Sequence, residues 1–392
     1  MSHFDFTIIG GSFAGMTTAL ALSNVSADLK IAIIEKRDIL SQDRKRDGRA
    51  YAISAASLQL FKEIGIYEET VKHAGKISDI KITDYKSPFF LDFIGREVDE
   101  KEGQLGQIIE NYHIHNALRD QILKHKNITV FSPNFYEEIK FENNVSIKLD
   151  NGEILNSKLL LACDGRFSEL RELYQIHTTQ KKYHQTAIVF NIEHERSHDH
   201  VAYEKFLPGG PLAILPLKNT NRSSIVWIAP DNLAQAILTL DEENFIQQLT
   251  KKMEHCLGKT SVISEKFSYP LTLIEAEKFY HEKMLLIGDA SAGVHPIAGQ
   301  GFNLAIGGIK ILCELIKNNL FCGQDITGQN LIEAYNKKAR FEAKKMLVAT
   351  DILNSLFETK SLSIGLARDL GLGLINKIPK LKNFFIKSAG GF

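Results

Sequence analysis

The chain has 392 residues, 44% of them hydrophobic, enough to bury a substantial core and to build two or more structural units, which excludes disordered and fibrous classes. Lysine plus arginine (47) equals aspartate plus glutamate (47), so no global field favours nucleic acid, and any recognition by charge is local.

The four cysteines, Cys163, Cys256, Cys313 and Cys322, lie far apart and form no C-x-x-C pair, giving neither a zinc pattern nor a disulfide framework. A reducing cytosol fits this usage. The N-terminus lacks the basic start and longer apolar stretch of a secretory signal. Apolar runs such as Leu159 to Cys163 fall far short of the roughly 20 residues needed to cross a bilayer. A cytoplasmic protein, soluble or peripheral to the inner face of the membrane, is expected.

In chain order, the first element is a β-like run, Phe6 to Ile9, followed by Gly10-Gly11-Ser12-Phe13-Ala14-Gly15, with Ala19 in a helical run. A second strand, Ile31 to Ile34, ends at Glu35 and Lys36. This is close to a dinucleotide fingerprint. A tight turn at Gly10 aims a helix N-terminus at a pyrophosphate, Gly15 and Ala19 let helix and strand pack closely, and Glu35 accepts both ribose hydroxyls. The charge of Glu35 disfavours a 2′-phosphate, so the site suits FAD or NAD better than NADP. Ser12 replaces the glycine that gives closest backbone approach; its hydroxyl could bond a phosphate instead. An ordinary glycine-rich strand-to-helix turn is the competing reading.

Next come an extended stretch, Ile77 to Phe93, and a buried run, Leu159 to Cys163, ending in Asp164-Gly165-Arg166-Phe167-Ser168 with Arg171 on a following helix. A carboxylate at the end of a buried strand holds backbone or ligand donors, and the glycine gives a turn that a side chain would block. Extended runs from Thr186 to Ile192, Leu212 to Leu217 and Ser224 to Ile228 suggest an inserted antiparallel sheet, which Ile77 to Phe93 joins from earlier in the chain. A third buried run, Met284 to Ile287, precedes Gly288-Asp289 and His295-Pro296-Ile297-Ala298-Gly299-Gln300-Gly301-Phe302-Asn303. From Leu331 onward the pattern is mostly helical.

Taken in order, these segments resemble the motifs of class A FAD-dependent aromatic monooxygenases, and the last is similar to that of the ubiquinone-biosynthesis hydroxylases. The resemblance runs nearly end to end, from Phe6 to Gly390. It implies an α/β fold like that of para-hydroxybenzoate hydroxylase: a Rossmann-like FAD-binding domain (1–74, 98–177 and 274–392, with C-terminal helices) and an inserted, mostly antiparallel substrate-binding sheet (75–97 and 178–273). By the same resemblance Asp164 and Gly165 lie by the FAD pyrophosphate, and Gly288 and Asp289 hold a ribityl hydroxyl. Pro296, Gly299, Gln300, Gly301, Phe302 and Asn303 border the isoalloxazine, and Arg49 approaches the FAD phosphate from the loop Asp47-Gly48-Arg49. Gln107 contacts FAD if it follows related hydroxylases, though a surface glutamine is as good a reading. Trp227 reads as a sheet-packing residue.

Family chemistry has FAD carry the reactive oxygen as a C4a-hydroperoxide, attacked by an electron-rich phenol ring, with NADPH or NADH visiting as donor. The resemblance implies a polyprenylated phenol and molecular oxygen as substrates, with a quinone-synthesis complex as a candidate partner. His295 and Pro296 are expected in the flavin and substrate environment. No general base is identified, His184 and His295 being the candidates. Ala292 and Gly308 depart from the family pattern, where histidine and aspartate are usual. The rivals are a flavin hydroxylase of a small soluble aromatic acid and a weakly active flavoprotein scaffold. Beyond Pro379, Leu381, Phe384 and Phe385 share one helical face flanked by Lys380, Lys382 and Lys387, a face suited to a membrane or to packing on protein.

Overall fold

The structure, a computed structural model, describes residues 2–41, 48–84, 90–97, 103–293 and 300–358. Phe6, Thr7, Ile8 and Ile9, in the second half of the strand Ser2–Ile9, are all buried, as a strand covered on both faces requires. That strand pairs in parallel with Ile31–Ile34 and with Ile154–Ala162, and the parallel set extends to Ile128–Phe131 and Met284–Leu286. A hairpin, Tyr136–Phe141 with Val145–Leu149, and the edge strand Tyr280–His281 complete an eight-stranded sheet. Helix Phe13–Val25 is apolar nearly all round because it lies against helices Asn111–Ile122 and Gln300–Phe321 as well as the sheet.

The inserted sheet has nine strands. Its spine is the long strand Thr178–His194, antiparallel to both Arg222–Pro230 and Phe267–Ala276. As expected, the earlier stretch joins it: Asp79–Asp84 runs parallel to Val201–Leu207 and antiparallel to Phe90–Ile94. Alternation along the strands gives the sheet two different faces. On one face Ile188, Phe190, Leu212, Ile214, Ile225 and Trp227 pack under helices Asp231–Leu238 and Glu242–Lys252. Trp227 is buried there, its ring 5.9 Å from that of Phe245, the packing role its sequence context predicts. The other face looks toward helix Phe13–Val25 and the turn at Asp289.

A third sheet, Ala50–Ser54, Gly106–Glu110 and Gly75–Ile77, lies between the two. A short strand, Ala292–Gly293, pairs with Ile274 and Glu275, tying the segment after Asp289 to the inserted sheet. The long helix Gln329–Glu358 matches the helical pattern seen from Leu331. His295, Pro296, Gly299 and the segment beyond Pro379 lie outside the described residues, as does Asp47.

Candidate active site

The loop after the first strand is built by steric exclusion. Gly10 has φ +103°, and an added Cβ would run into the Cys163 carbonyl oxygen; one at Gly15 would run into the Gly10 carbonyl oxygen. Chain and neighbour are therefore in backbone contact where the fingerprint predicts a tight turn. Ser12 caps helix Phe13–Val25 without a side-chain hydrogen bond of its own and is exposed. Glu35 Oε2 accepts the Gly11 N–H at 2.7 Å and Oε1 accepts the Arg37 N–H at 3.0 Å, which fixes the carboxylate at the end of its strand. Lys36 is exposed and forms a 3.5 Å ion pair with Glu169.

Asp164 lies two residues beyond the strand Ile154–Ala162. Its Oδ2 accepts the Ser168 hydroxyl at 2.8 Å and the Leu170 N–H at 3.1 Å, while Oδ1 is buried with no partner among the described residues. Burial pushes this carboxyl up, opposed by those hydrogen bonds and by the Arg171 charge. Arg171 anchors the loop as its position suggests, donating to the Ala290 and Arg166 carbonyls, each at 2.9 Å. Arg166 reaches Asp289, with Nη2 3.2 Å from Oδ2. The loops of the second and third motifs are thus joined side chain to side chain.

Two cavities meet at this junction. One, of about 750 Å³, is lined by Gly10, Gly11, Glu35, Lys36, Asp164 and neighbours. The other, of about 450 Å³, is bounded by Phe13, Ala14, Asp289, Gly301 and Phe302 on the side of the parallel sheet. Across it stand Val189, Ala213, Leu215, Val226 and Tyr269 from the inserted sheet. Ser12, Cys163, Gly165 and Phe167 line both, so the two form one trench. An elongated dinucleotide fits this shape, with the ribose end at Glu35, the phosphates over the Gly10–Gly15 turn, and a flat ring system between Asp289 and the inserted sheet. The unsatisfied Oδ1 of Asp164 and the glycine cradle are the features that call for such a group.

Other predicted positions fall as follows. Arg49 lines the smaller cavity, its guanidinium 5.1 Å from the Phe267 ring centre. Gly288, at φ +65°, packs against Ala14 and Ala305. Asn303 holds the strand Ala50–Ser54, donating to the Ala52 carbonyl at 2.8 Å and accepting the Ser54 N–H at 3.0 Å. Its amide therefore seats the helix Gln300–Phe321 against that strand. Gln107 is buried and lines neither cavity. His184 is exposed in an irregular part of its strand at φ +53° and also lines neither. Ala292 is buried in the short strand, and Gly308 faces the Tyr335 hydroxyl, which donates to the Leu286 carbonyl at 3.1 Å. Sequence reading missed Arg166 and Tyr269 as cavity residues; an arginine directly after the Asp-Gly pair was the one local signal.

The FAD binding domain family matches residues 3–350. The chain is similar to ubiquinone hydroxylase UbiL of Rhodospirillum rubrum, at 33% identity over 99% of this chain and 89% of that protein. It is similar to ubiquinone hydroxylase UbiM of Neisseria meningitidis at 29% identity, over 99% and 85% respectively. The fold is shared with p-nitrophenol 4-monooxygenase PnpA of Pseudomonas putida, with TM-score 0.80 at 15% identity, covering 100% of this chain and 99% of that one. It is shared also with Klebsiella pneumoniae HpxO, solved with FAD and uric acid, with TM-score 0.75 at 14% identity over 98% and 97%. Fingerprint, trench and relatives agree: the chain belongs to the FAD binding domain family, among the ubiquinone-biosynthesis hydroxylases of the class A aromatic monooxygenases.

Proposed function

We propose that the protein hydroxylates the aromatic ring of a polyprenylated phenol in ubiquinone biosynthesis, using FAD, molecular oxygen and a transiently bound NADPH or NADH. The observation that carries this reading is the chemistry of the smaller cavity: the residues lining it from the inserted sheet, Val189, Ala213, Leu215, Val226, Tyr269 and Pro270, include no charge. A small aromatic acid needs a cation facing its carboxylate. The two cations in the lining are engaged elsewhere, Arg166 with Asp289 and Arg49 over Phe267. A neutral, lipid-borne phenol suits such walls.

Bound FAD would supply the electrons and the activated oxygen. The chain's own residues bind and orient. Gly10 to Gly15 with Asp164 and Gly165 hold the phosphates, Glu35 the ribose, and Asp289 the ribityl chain, while Gly301 and Phe302 border the ring. The apolar wall holds the phenol and excludes water that would divert the oxygen to peroxide. In this reading residues 1–74, 98–177 and 274–392 form the flavin part and 75–97 and 178–273 the substrate-binding sheet part. No helix among the described residues is long and apolar enough to cross a membrane. We infer peripheral docking at the inner face through the segment beyond Pro379, and contact with other quinone-synthesis enzymes there. Profiling quinone intermediates in cells lacking the protein tests the assignment. An accumulated precursor one hydroxyl short is expected; an unchanged quinone pool overturns it.

A further inference from the structure

Glu204, in the strand Val201–Leu207, is a buried ionisable group, 8% exposed, with no part in the site described so far. Strand register fixes where it points. Glu204 pairs with Ala213, Ala213 with Val226, and Val226 with Val189. Residues paired in this way point to one face of a sheet. Val189, Val226 and Ala213 line the smaller cavity, so Glu204 is the next position in a row that already faces the substrate space. Paired Cβ atoms stand about 4.5–5.5 Å apart, within a glutamate side chain's reach. Ala213 carries only a methyl group, and Glu204 stands one strand behind the lining residues of this row.

On its far side Glu204 pairs with Ile82, which packs with Ile77, Leu91, Phe93 and Ala202. Ala50, Ala52 and Leu215 belong both to that apolar cluster and to the cavity lining. Glu204 thus stands at the border between cavity and core. The charged groups around it are accounted for. Lys205 lies on the opposite face with Glu254 at 2.6 Å, and Lys81 and Asp92 share the row of Tyr203, also on that face. On the small sheet Glu110, opposite Ala50, accepts from Asn191 Nδ2 at 3.3 Å. Arg49, Arg166 and Asp289 line the cavity itself.

We propose that Glu204 is the catalytic base of this site, accepting the proton of the substrate's phenol hydroxyl. The inference rests on the hydroxylase reading. The step is a proton transfer: the phenol O–H bond breaks, an O–H bond forms on the carboxylate, and the oxygen's electron pair is released into the ring that accepts the electrophilic oxygen atom. Oxygen is the oxidant, the nicotinamide nucleotide the reductant, and the proton held by Glu204 is among those consumed when the second oxygen atom leaves as water. Burial alone pushes the Glu204 carboxyl up to about 7, so it is partly ionised near neutrality and basic enough for the task. Tyr269, the ionisable group among the residues that line the cavity from the inserted sheet, has its phenol pushed up by burial, against the charges of Arg166 and Arg49, and is a poor base.

The test compares FAD-loaded wild type, Glu204→Gln and Glu204→Asp on a short-chain prenylphenol and on its polyfluorinated analogue, already ionised in solution. Glu204→Gln is expected to lower kcat on the ordinary phenol about a hundredfold with little change in KM, in the range for loss of a general base. On the fluorinated phenol it is expected to run within about threefold of wild type, since no proton then needs removing. Glu204→Asp, which keeps the acid, is expected to retain a partial rate on the ordinary phenol. Retained FAD absorbance and rate of flavin reduction verify that the variants are folded. An equal loss on both phenols, or no loss on either, overturns the assignment, as does an Asp variant no better than Gln. Failure of wild type to hydroxylate either phenol refutes the hydroxylase reading, and the base assignment with it.

Discussion

Arg166 and Asp289 form an ion pair at 3.2 Å that links the loop after Ile154–Ala162 to the turn after Met284–Leu286, at the wall of the smaller cavity. Arg166 Nε, at 3.3 Å, reaches the same Asp289 Oδ2 as Nη2 does. Gly293 packs against the same guanidinium, where an added Cβ would come 2.8 Å from Nε. The carboxylate is therefore held in one orientation before any ligand arrives, a condition for binding a sugar hydroxyl without an ordering cost.

Replacing Asp289 with alanine removes an ionised acceptor, whose hydrogen bond is typically worth about 1.5–3 kcal/mol. FAD affinity, read by flavin fluorescence on titrating the apoprotein, is expected to fall by roughly tenfold to a hundredfold. Unchanged affinity would remove Asp289 from the cofactor site.

Ser12 stands where the family pattern has glycine, and its hydroxyl makes no capping bond to its own helix. If that hydroxyl bonds a phosphate, Ser12→Gly loses a hydrogen bond of about 1 kcal/mol and weakens FAD roughly fivefold. Equal or tighter binding by calorimetry would mean that closer backbone approach matters more.

Much of this site was readable from short stretches of sequence because it is made of turns. Gly10 and Gly15 sit where neighbouring backbone leaves no room for a side chain, and Asp164 bonds Ser168 and Leu170 a few residues on; such constraints show in short stretches of sequence. The strands of the inserted sheet were legible as short extended runs, Thr186 to Ile192, Leu212 to Leu217 and Ser224 to Ile228, which is also local information. What was not legible depends on register between distant segments: the Arg166–Asp289 pair spans 123 residues, the Asn303 bond to Ser54 spans 249, and the row that brings Glu204 beside the cavity needs three strand pairings. A glutamate inside Ala202-Tyr203-Glu204-Lys205-Phe206 looks in sequence like an outward-facing strand residue. The face it lies on is covered where Ile77, Ile108, Ala50 and Ala52 of the small sheet, itself built from three separated segments, pack with Ala202 and Ile82.

Burial of Glu204 carries a pH signature. Its folded-state pKa of about 7 lies above the ordinary value of 4.5, so between those values the folded chain holds more protons than the unfolded one. Stability is full below the lower value and is lost as pH rises through this window, by about 3 kcal/mol in all. Glu204→Gln has no proton to lose. Its melting temperature is expected to exceed that of wild type at about pH 8 and to match it at about pH 4.5, a difference that calorimetry at both values resolves. A constant offset would contradict the assigned burial.

Peripheral docking assigns Phe384 and Phe385 to the lipid interface, with Lys380, Lys382 and Lys387 toward anionic head groups. The full chain carrying Phe384→Glu and Phe385→Glu is expected to sediment with anionic vesicles at least tenfold less well than wild type, with FAD content unchanged. Equal sedimentation would place that face against protein.

The most direct measurement of the central claim is single-turnover reaction of the FAD-loaded protein with a nicotinamide nucleotide, a short-chain prenylphenol and heavy-isotope oxygen gas, followed by mass spectrometry of the phenol. The account predicts one heavy oxygen atom in the ring of the product. Flavin oxidation with peroxide released and the phenol recovered unlabelled would contradict it.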